Sequence, residues 1–376
     1  VSPAFWPLLE QLTTDAKRRL AEANPEQVRK ALTRRLTPAD APLLVSEAAG
    51  QFIEVMAHLA RRLTILRFGR VITLYAPLYL SNYCQNQCLY CGFSARRPIE
   101  RIALGLEQVE QEADIILSQG IRHLLLVTGE APEKYGLDRI VEAARRLRPR
   151  VASLSVEIFP CSLTDYRRLV SAGVDGLVLY QETYQPQVYA RLHPAGPKSD
   201  FAARLAAIEA GGEAGMRSLG VGALLGLAPP RLDACLLIQH AAWLERRFPR
   251  SRLAISFPRL RPVPGGIEAE HPVDDKLLVQ FILAARLLLP DAEIVVSTRE
   301  PAALRDRLLG LGVTRISAGS RTSPGGYSGK AMDDHAGQFF TEDRRSVSEV
   351  IQAVRAAGLD VALKDFDAAF CGEKST

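Results

Sequence analysis

The pattern of apolar and polar positions changes character near residue 70. Before it, apolar and charged residues recur at helical spacing with few breakers, most clearly over 47–67, and Pro38 and Pro42 separate two helical pieces. Beyond it, short β-branched runs alternate with amphipathic segments. The runs lie at 71–80, 121–128, 153–158, 174–180, 219–225, 253–257, 293–297 and 313–317. Helical periodicity fills the spaces between them, at 106–119, 137–148, 163–172, 200–214, 233–248, 275–289 and 302–311. Gly120, Gly173, Gly215 and Gly312 each follow a helical stretch, where a left-handed cap is wanted. Eight strands in strict alternation with helices predict an α/β chain, with a parallel sheet closed into a (β/α)8 barrel of the TIM type. A doubly wound open sheet is the alternative that the same alternation leaves open. The expected organisation is a helical extension over 1–70, a barrel over 71–320, and a C-terminal extension over 321–376 that closes the barrel. That extension holds a turn-rich stretch at 323–327 and one further helix at 347–357.

Composition adds boundaries. With 376 residues, 47% of them hydrophobic, the chain can bury a large core. A net charge of +5 does not call for nucleic acid. No apolar run reaches the roughly eighteen residues of a membrane span. Residues 1–10 lack a basic segment followed by an apolar one, so no signal peptide is expected. Disulfides are not expected among the six cysteines, and the expected compartment is the cytoplasm. The arginine pairs Arg18–Arg19, Arg34–Arg35 and Arg61–Arg62 read as solvated faces, with a docking surface as the sharper alternative.

Three of the six cysteines, Cys84, Cys88 and Cys91, fall within eight residues in the loop after the first predicted strand. In a parallel barrel that is the end where active sites are built. A complete thiolate set for an iron–sulfur cluster is four. Three can hold three corners of a cubane and leave one iron open to a small molecule. A structural zinc site would need a second ligand pair, and the next cysteine is Cys161. Cys161, Cys235 and Cys371 read as ordinary thiols. Other strand ends are polar: Thr128-Gly129-Glu130 after the second, Glu157 in the third and Tyr180-Gln181-Glu182-Thr183-Tyr184 after the fourth. Gly220 and Gly222 in the fifth either admit a flat ligand or relieve crowding in the barrel. The sixth to eighth lead to Arg259 and Arg261, Arg299, and Arg321. Arginine binds carboxylates bidentately. Arg321, on the loop that closes the barrel, is the residue expected to clamp a substrate carboxylate, and ion pairs with groups such as Glu300 are the alternative for each arginine.

The spacing Cys-x-x-x-Cys-x-Tyr-Cys after a β-run resembles the signature of the radical S-adenosylmethionine (SAM) enzymes. That resemblance implies a 4Fe–4S cluster on Cys84, Cys88 and Cys91, with SAM chelated at the open iron and cleaved to a 5′-deoxyadenosyl radical. It also implies Tyr90 near the adenine. Gly129 and Glu130 would hold the SAM ammonium, in a Gly-Gly-Glu-like motif with Thr in the first place, and Glu157 would meet ribose hydroxyls. Residues 78–82, 124–130, 180–184, 256–262 and Lys364-Asp365-Phe366-Asp367 are similar to the aromatic amino-acid lyases, and among them to the 2-iminoacetate synthases of thiazole and thiamine biosynthesis. The implied reaction splits the Cα–Cβ bond of L-tyrosine into 2-iminoacetate and p-cresol. The implied partners are thiazole synthase and an electron donor such as flavodoxin or ferredoxin. A tryptophan-cleaving relative shares the core. The hydrogenase-maturation tyrosine lyase has a second cysteine cluster near its C-terminus, which Cys371 alone cannot build. A non-catalytic iron–sulfur electron carrier is the reading from a different class.

Overall fold

The computed structural model of the chain describes residues 4–329 and 337–363. Eight parallel strands close into a barrel: β1 (Val71–Ser81), β2 (His123–Thr128), β3 (Ser153–Glu157), β4 (Gly176–Val178), β5 (Ser218–Gly222), β6 (Arg252–Ser256), β7 (Glu293–Val296) and β8 (Arg315–Ser317). Each strand pairs with the next. β8 returns to β1 through Thr73↔Arg315, and β1 meets β2 through Ala76↔Leu124. Closure removes both sheet edges and decides against the open sheet. Strand periodicity sets which residues face the axis. Leu74, Ala76, Leu78 and Leu80 of β1 join the large core under the helices, whereas Tyr75 and Tyr79 form an inner cluster with Leu125 and Val127 of β2.

Four helices precede the barrel: α1 (Trp6–Glu22), α2 (Pro25–Leu32), α3 (Ala41–Leu44) and α4 (Ile53–Phe68). The next eight surround it: α5 (Leu106–Ser118), α6 (Leu137–Leu147), α7 (Leu163–Ser171), α8 (Pro186–Leu192), α9 (Phe201–Glu213), α10 (Pro230–Arg247), α11 (Asp275–Leu288) and α12 (Ala302–Leu308). α1 packs on α10, where Phe5 stacks on His240 at 4.3 Å, and α4 packs on α11. Gly120, Gly173 and Gly215 take the positive φ expected of caps, 90° at the first two and 93° at the third, whereas α12 ends earlier than expected, at Leu308, so the position after its cap falls to Gly310 with φ of 78° and not to Gly312. No helix among the described residues is long and apolar enough to cross a membrane.

Two elements were not foreseen. α8 interrupts the loop after β4. A ninth strand, β9 (Asp360–Ala362), follows α13 (Val347–Ala356) and pairs in parallel with the start of β1, Val71↔Asp360. The Arg122 N–H donates to the Leu363 carbonyl at 3.2 Å, so β9 occupies the space between β1 and β2 at the N-terminal end of the barrel. Three residues are too few to show a period of two. Lys364, Asp365, Phe366, Asp367 and Cys371 lie outside the described residues.

The segment 337–343 crosses the opposite, C-terminal mouth. Its Gln338 carbonyl accepts the Gly92 N–H at 2.9 Å, and the N–H groups of Glu342 and Asp343 reach the Thr298 carbonyl at 3.0 and 3.1 Å. Its anchor is a buried ion pair between Asp343 and Arg305 of α12, whose side chains are 0% and 1% exposed. Arg345 adds a second contact to the same carboxylate at 2.7 Å. Asp343→Ala would leave the Arg305 guanidinium buried without its carboxylate, a loss on the order of 3–5 kcal/mol. Urea unfolding of this variant is expected to show a midpoint clearly below that of the parent, and an unshifted midpoint would mean that the crossing segment is not held there.

Candidate active site

The cysteine loop leaves β1 at the C-terminal mouth and folds back over the barrel. Gln85 N–H donates to the Glu130 carbonyl, Gln87 N–H to the Ala195 carbonyl and Leu89 N–H to the Leu192 carbonyl, at 2.9, 3.0 and 3.1 Å. Asn86, 2% exposed, is its internal brace. The Asn86 amide donates to the Glu130 carboxylate at 2.6 Å, and its oxygen accepts the Lys198 N–H at 2.8 Å. Gly129 serves the same packing. A Cβ there would lie 2.3 Å from the Tyr83 carbonyl, so the glycine lets the loop sit on β2.

Beneath the loop lies a cavity of about 900 Å³, whose walls come from every barrel strand or its following loop. Tyr90, Cys91, Glu157, Glu182, Lys198 and Arg299 line it, with Tyr79, Leu125, Val127 and Phe339 as apolar wall. Of the three thiols, Cys91 lines it. Cys84 and Cys91 pack with Tyr79 and Phe93, and Cys88 and Cys91 pack with Tyr90 and Leu224. Burial pushes the Cys88 thiol up to about 12 and the Cys91 thiol up to about 11; neighbouring thiols add to this and Lys198 opposes it. Metal binding therefore has to displace protons here, and charge on one thiolate is felt by the others. Among the described residues, no three His, Cys, Asp or Glu side chains converge on a single ion position. The donors suit a cluster, where each thiolate takes a different iron, better than one tetrahedral zinc.

Tyr90 is fixed by a buried partner. Its hydroxyl lies 2.7 Å from His193 Nε2, and His193 Nδ1 is 2.8 Å from the Tyr189 carbonyl. A carbonyl can only accept, so Nδ1 carries the proton and Nε2 accepts from Tyr90. Burial, with Lys198 assisting, lowers the His193 pKa to about 3, which keeps the ring neutral. Glu182 has φ of 70°, a backbone conformation that costs energy for a residue with a Cβ. It is held by Lys198 at 2.6 Å, with Arg204 at 3.9 Å. Burial works against its charge, but the two cations outweigh burial and lower its pKa. At Glu157 the balance goes the other way: burial and the Glu182 charge outweigh Lys198, Arg204 and Arg299 and raise its pKa to about 7.

The arginines divide. Arg259 and Arg261 both pair with Glu300, the latter at 2.9 Å, so the ion-pair alternative holds for them. Arg321 is exposed and does not line the cavity; its backbone N–H meets the Tyr327 hydroxyl at 3.4 Å. This corrects the placement expected from its position on the closing loop, because 321 turns outward where the chain leaves β8. Arg299 lies inside, its guanidinium 3.4 Å above the Phe339 ring, in no ion pair among the described residues. The Ser320 hydroxyl, also on the cavity wall, is buried and lacks a partner among the described residues. Gly222 gives room to the Tyr180 ring, 2.8 Å from where a Cβ would sit, which settles that glycine as relief of crowding. Asn86, Lys198, Arg204, His193 and Gln338, whose side chain accepts from the Tyr79 hydroxyl at 2.7 Å, were not picked out from the sequence. None of them belongs to a spaced motif; only their convergence marks them.

Residues 78–229 match the radical SAM superfamily, and residues 256–360 match the biotin and thiamin synthesis associated domain. The chain is 42% identical over 357 residues to the 2-iminoacetate synthase of Escherichia coli, with 94% of each chain covered. It is 42% identical over 335 residues to that of Salmonella typhimurium, with 88% of each covered. Among solved structures, the FeFe-hydrogenase maturase HydG from Carboxydothermus hydrogenoformans superposes with a TM-score of 0.86 at 32% identity, covering 94% of this chain and 85% of that one.

Proposed function

The chain belongs to the 2-iminoacetate synthase family of radical SAM enzymes, and from that membership we propose that its barrel mouth cleaves the Cα–Cβ bond of L-tyrosine to give 2-iminoacetate and p-cresol. It is a radical SAM carbon–carbon lyase, and the family as a whole works with a 4Fe–4S cluster and SAM. The three thiols of one loop, of which Cys91 lines the cavity, suit those groups, with Cys84, Cys88 and Cys91 as the cluster ligands. Bound there, cluster and SAM would supply the one-electron radical chemistry that the family uses.

The chain's own residues have the remaining tasks. Tyr90, held by His193, offers a fixed ring for the adenine. Glu130, tied to Asn86, and Gly129, packed on Tyr83, order the loop where the amino-acid end of SAM would sit. Glu157, close to half-protonated at neutral pH, can accept or donate a hydrogen bond to ribose hydroxyls. We assign the substrate carboxylate to Arg299 in place of Arg321. The observation that carries this reading is an unpaired guanidinium facing the same cavity as Cys91 and Tyr90. Tyr79, Leu125, Val127 and Phe339 surround the position with apolar groups, which excludes water from a reactive intermediate and holds the substrate against the radical carbon. The reading carries with it a cytoplasmic setting, thiazole synthase as the protein that takes up the imine, and a low-potential donor such as flavodoxin or ferredoxin.

Anaerobic reconstitution with iron, sulfide, SAM and a reductant is expected to yield p-cresol from tyrosine and no cleavage product from tryptophan. The reverse preference would move the chain to the tryptophan-cleaving relatives. A reduced cluster whose paramagnetic resonance spectrum ignores SAM would leave only an electron carrier.

A further inference from the structure

α4 carries more apolar surface than the fold covers. Met56, Ala60 and Thr64 make its buried face, and the helix packs on α11. Leu59, Leu63 and Leu66 lie at i, i+4 and i+7 and share a neighbouring face. That second face borders a groove of about 2410 Å³, walled on its other sides by Leu36 after α2 and by Leu287 and Leu288 of α11. Leu66 is 77% exposed, the most of any large apolar side chain among the described residues, and Val55, 46% exposed, extends the stripe by one turn. A lone exposed leucine needs no explanation, but a contiguous stripe beside a groove marks a contact surface.

The rim of the groove is basic. Arg34, Arg35, Arg62, Arg67 and Arg246 line it against two carboxylates, Glu245 and Asp291. Asp40 matches Arg34 at 2.6 Å, and Asp291 matches Arg67 at 3.4 Å. Arg35, Arg62 and Arg246 are all exposed and in no ion pair among the described residues, which leaves three cations around the leucines with Glu245 as the remaining lining carboxylate. The groove lies where α4, α10 and α11 end, at the N-terminal end of the barrel, and shares no lining residue with the catalytic cavity. Charge selects the occupant. A second copy of the chain would bring the same cations and be repelled, whereas carboxylates flanking an apolar ridge would meet them. The stripe from Val55 to Leu66 spans about three helical turns, the reach of a short helix seated through anchors at i, i+3 or i+4, and i+7.

We propose that this groove docks an acidic amphipathic helix of a partner protein, with its apolar ridge on Leu59, Leu63 and Leu66 and its carboxylates on Arg35, Arg62 and Arg246. The test is fluorescence anisotropy of the anaerobically reconstituted full chain with two labelled helical peptides of about 18 residues, which carry the same leucines at helical spacing and are flanked by Glu in one and by Lys in the other. Saturable binding of the Glu-flanked peptide is expected, at least about tenfold tighter than that of the Lys-flanked one and weakening as salt is raised. Leu66→Asp and Arg62→Glu should each weaken it by about tenfold or more, while the thermal midpoint and p-cresol formation stay those of the parent, because both side chains are exposed and far from the cysteine loop. No saturable binding, equal binding of the two peptides, or binding that both variants leave unchanged overturns the proposal. So does a dimer in sedimentation velocity that Leu66→Asp dissolves, since a second copy would then cover the face.

Discussion

Replacing Cys88 with Ala is expected to abolish p-cresol formation while leaving the barrel folded. Cys88 is 4% exposed and packs among Tyr90, Leu192, Leu224 and Leu227, so losing its sulfur removes one small buried group from a large core. That local cost is a fraction of the fold's stability. The chemical cost is of another order, because two thiolates cannot hold a cubane in the open-iron form. Turnover should drop by ~10³-fold or more, to the assay floor, since the uncatalysed cleavage is not a competing route. Iron and sulfide content should fall with it, and far-ultraviolet circular dichroism should be unchanged. Cys91→Ala should behave alike. Cys161→Ser tests the opposite expectation: its thiol donates to the Phe159 carbonyl at 3.3 Å and does not line the catalytic cavity, so activity should stay within about twofold. Full cluster content in Cys88→Ala, or its loss in Cys161→Ser, would reassign the ligands.

Arg299→Ala should lower kcat/KM for tyrosine by ~10²–10⁴-fold, the equivalent of two charge-assisted hydrogen bonds at roughly 1.5–3 kcal/mol each. Burial already lowers the pKa of this guanidinium, with the Tyr79 hydroxyl, Glu182, the Tyr180 hydroxyl and Glu157 opposing, so it is a cation held in a costly place and in no ion pair among the described residues. A bound substrate carboxylate would supply the missing partner. Arg299→Lys should recover only part of the loss, because an ammonium cannot reproduce the planar fork. Arg321→Ala should change kcat/KM by about twofold at most, since its side chain is exposed and outside the cavity. If Arg321→Ala shows the large loss and Arg299→Ala the small one, the substrate lies on the closing loop and not against β7.

The difference between those two arginines shows where the sequence stops being informative. Arg259, Arg261, Arg299 and Arg321 all follow barrel strands, and nothing local separates them. Glu300 separates the first two by taking both, the turn after β8 directs Arg321 outward, and Phe339 positions Arg299 inward from a segment forty residues away. Asn86 and Lys198 were missed for the same reason. They meet because the loop after β4 packs on the cysteine loop, a contact across 112 positions. The buried Asp233 is another such case: its carboxylate receives the Tyr184 N–H at 2.9 Å and so fixes the polar strand end at 180–184 onto α10.

Short β-branched runs, helical runs and the glycines between them determined the barrel, because strand runs buried on both faces and one-sided helices are local properties of the chain. The spacing of three cysteines within eight residues pointed to the radical SAM superfamily in the same way, since the loop that carries them needs no distant partner to bring them together. Which carboxylate is neutralised, which arginine is free, why Gly129 faces a carbonyl and how β9 fills the N-terminal end were decided only by the closed tertiary structure. Charge balance and close approach are properties of residues that meet in space, and a barrel brings together residues as distant in sequence as Tyr75 and Ser317, which pair across β1 and β8.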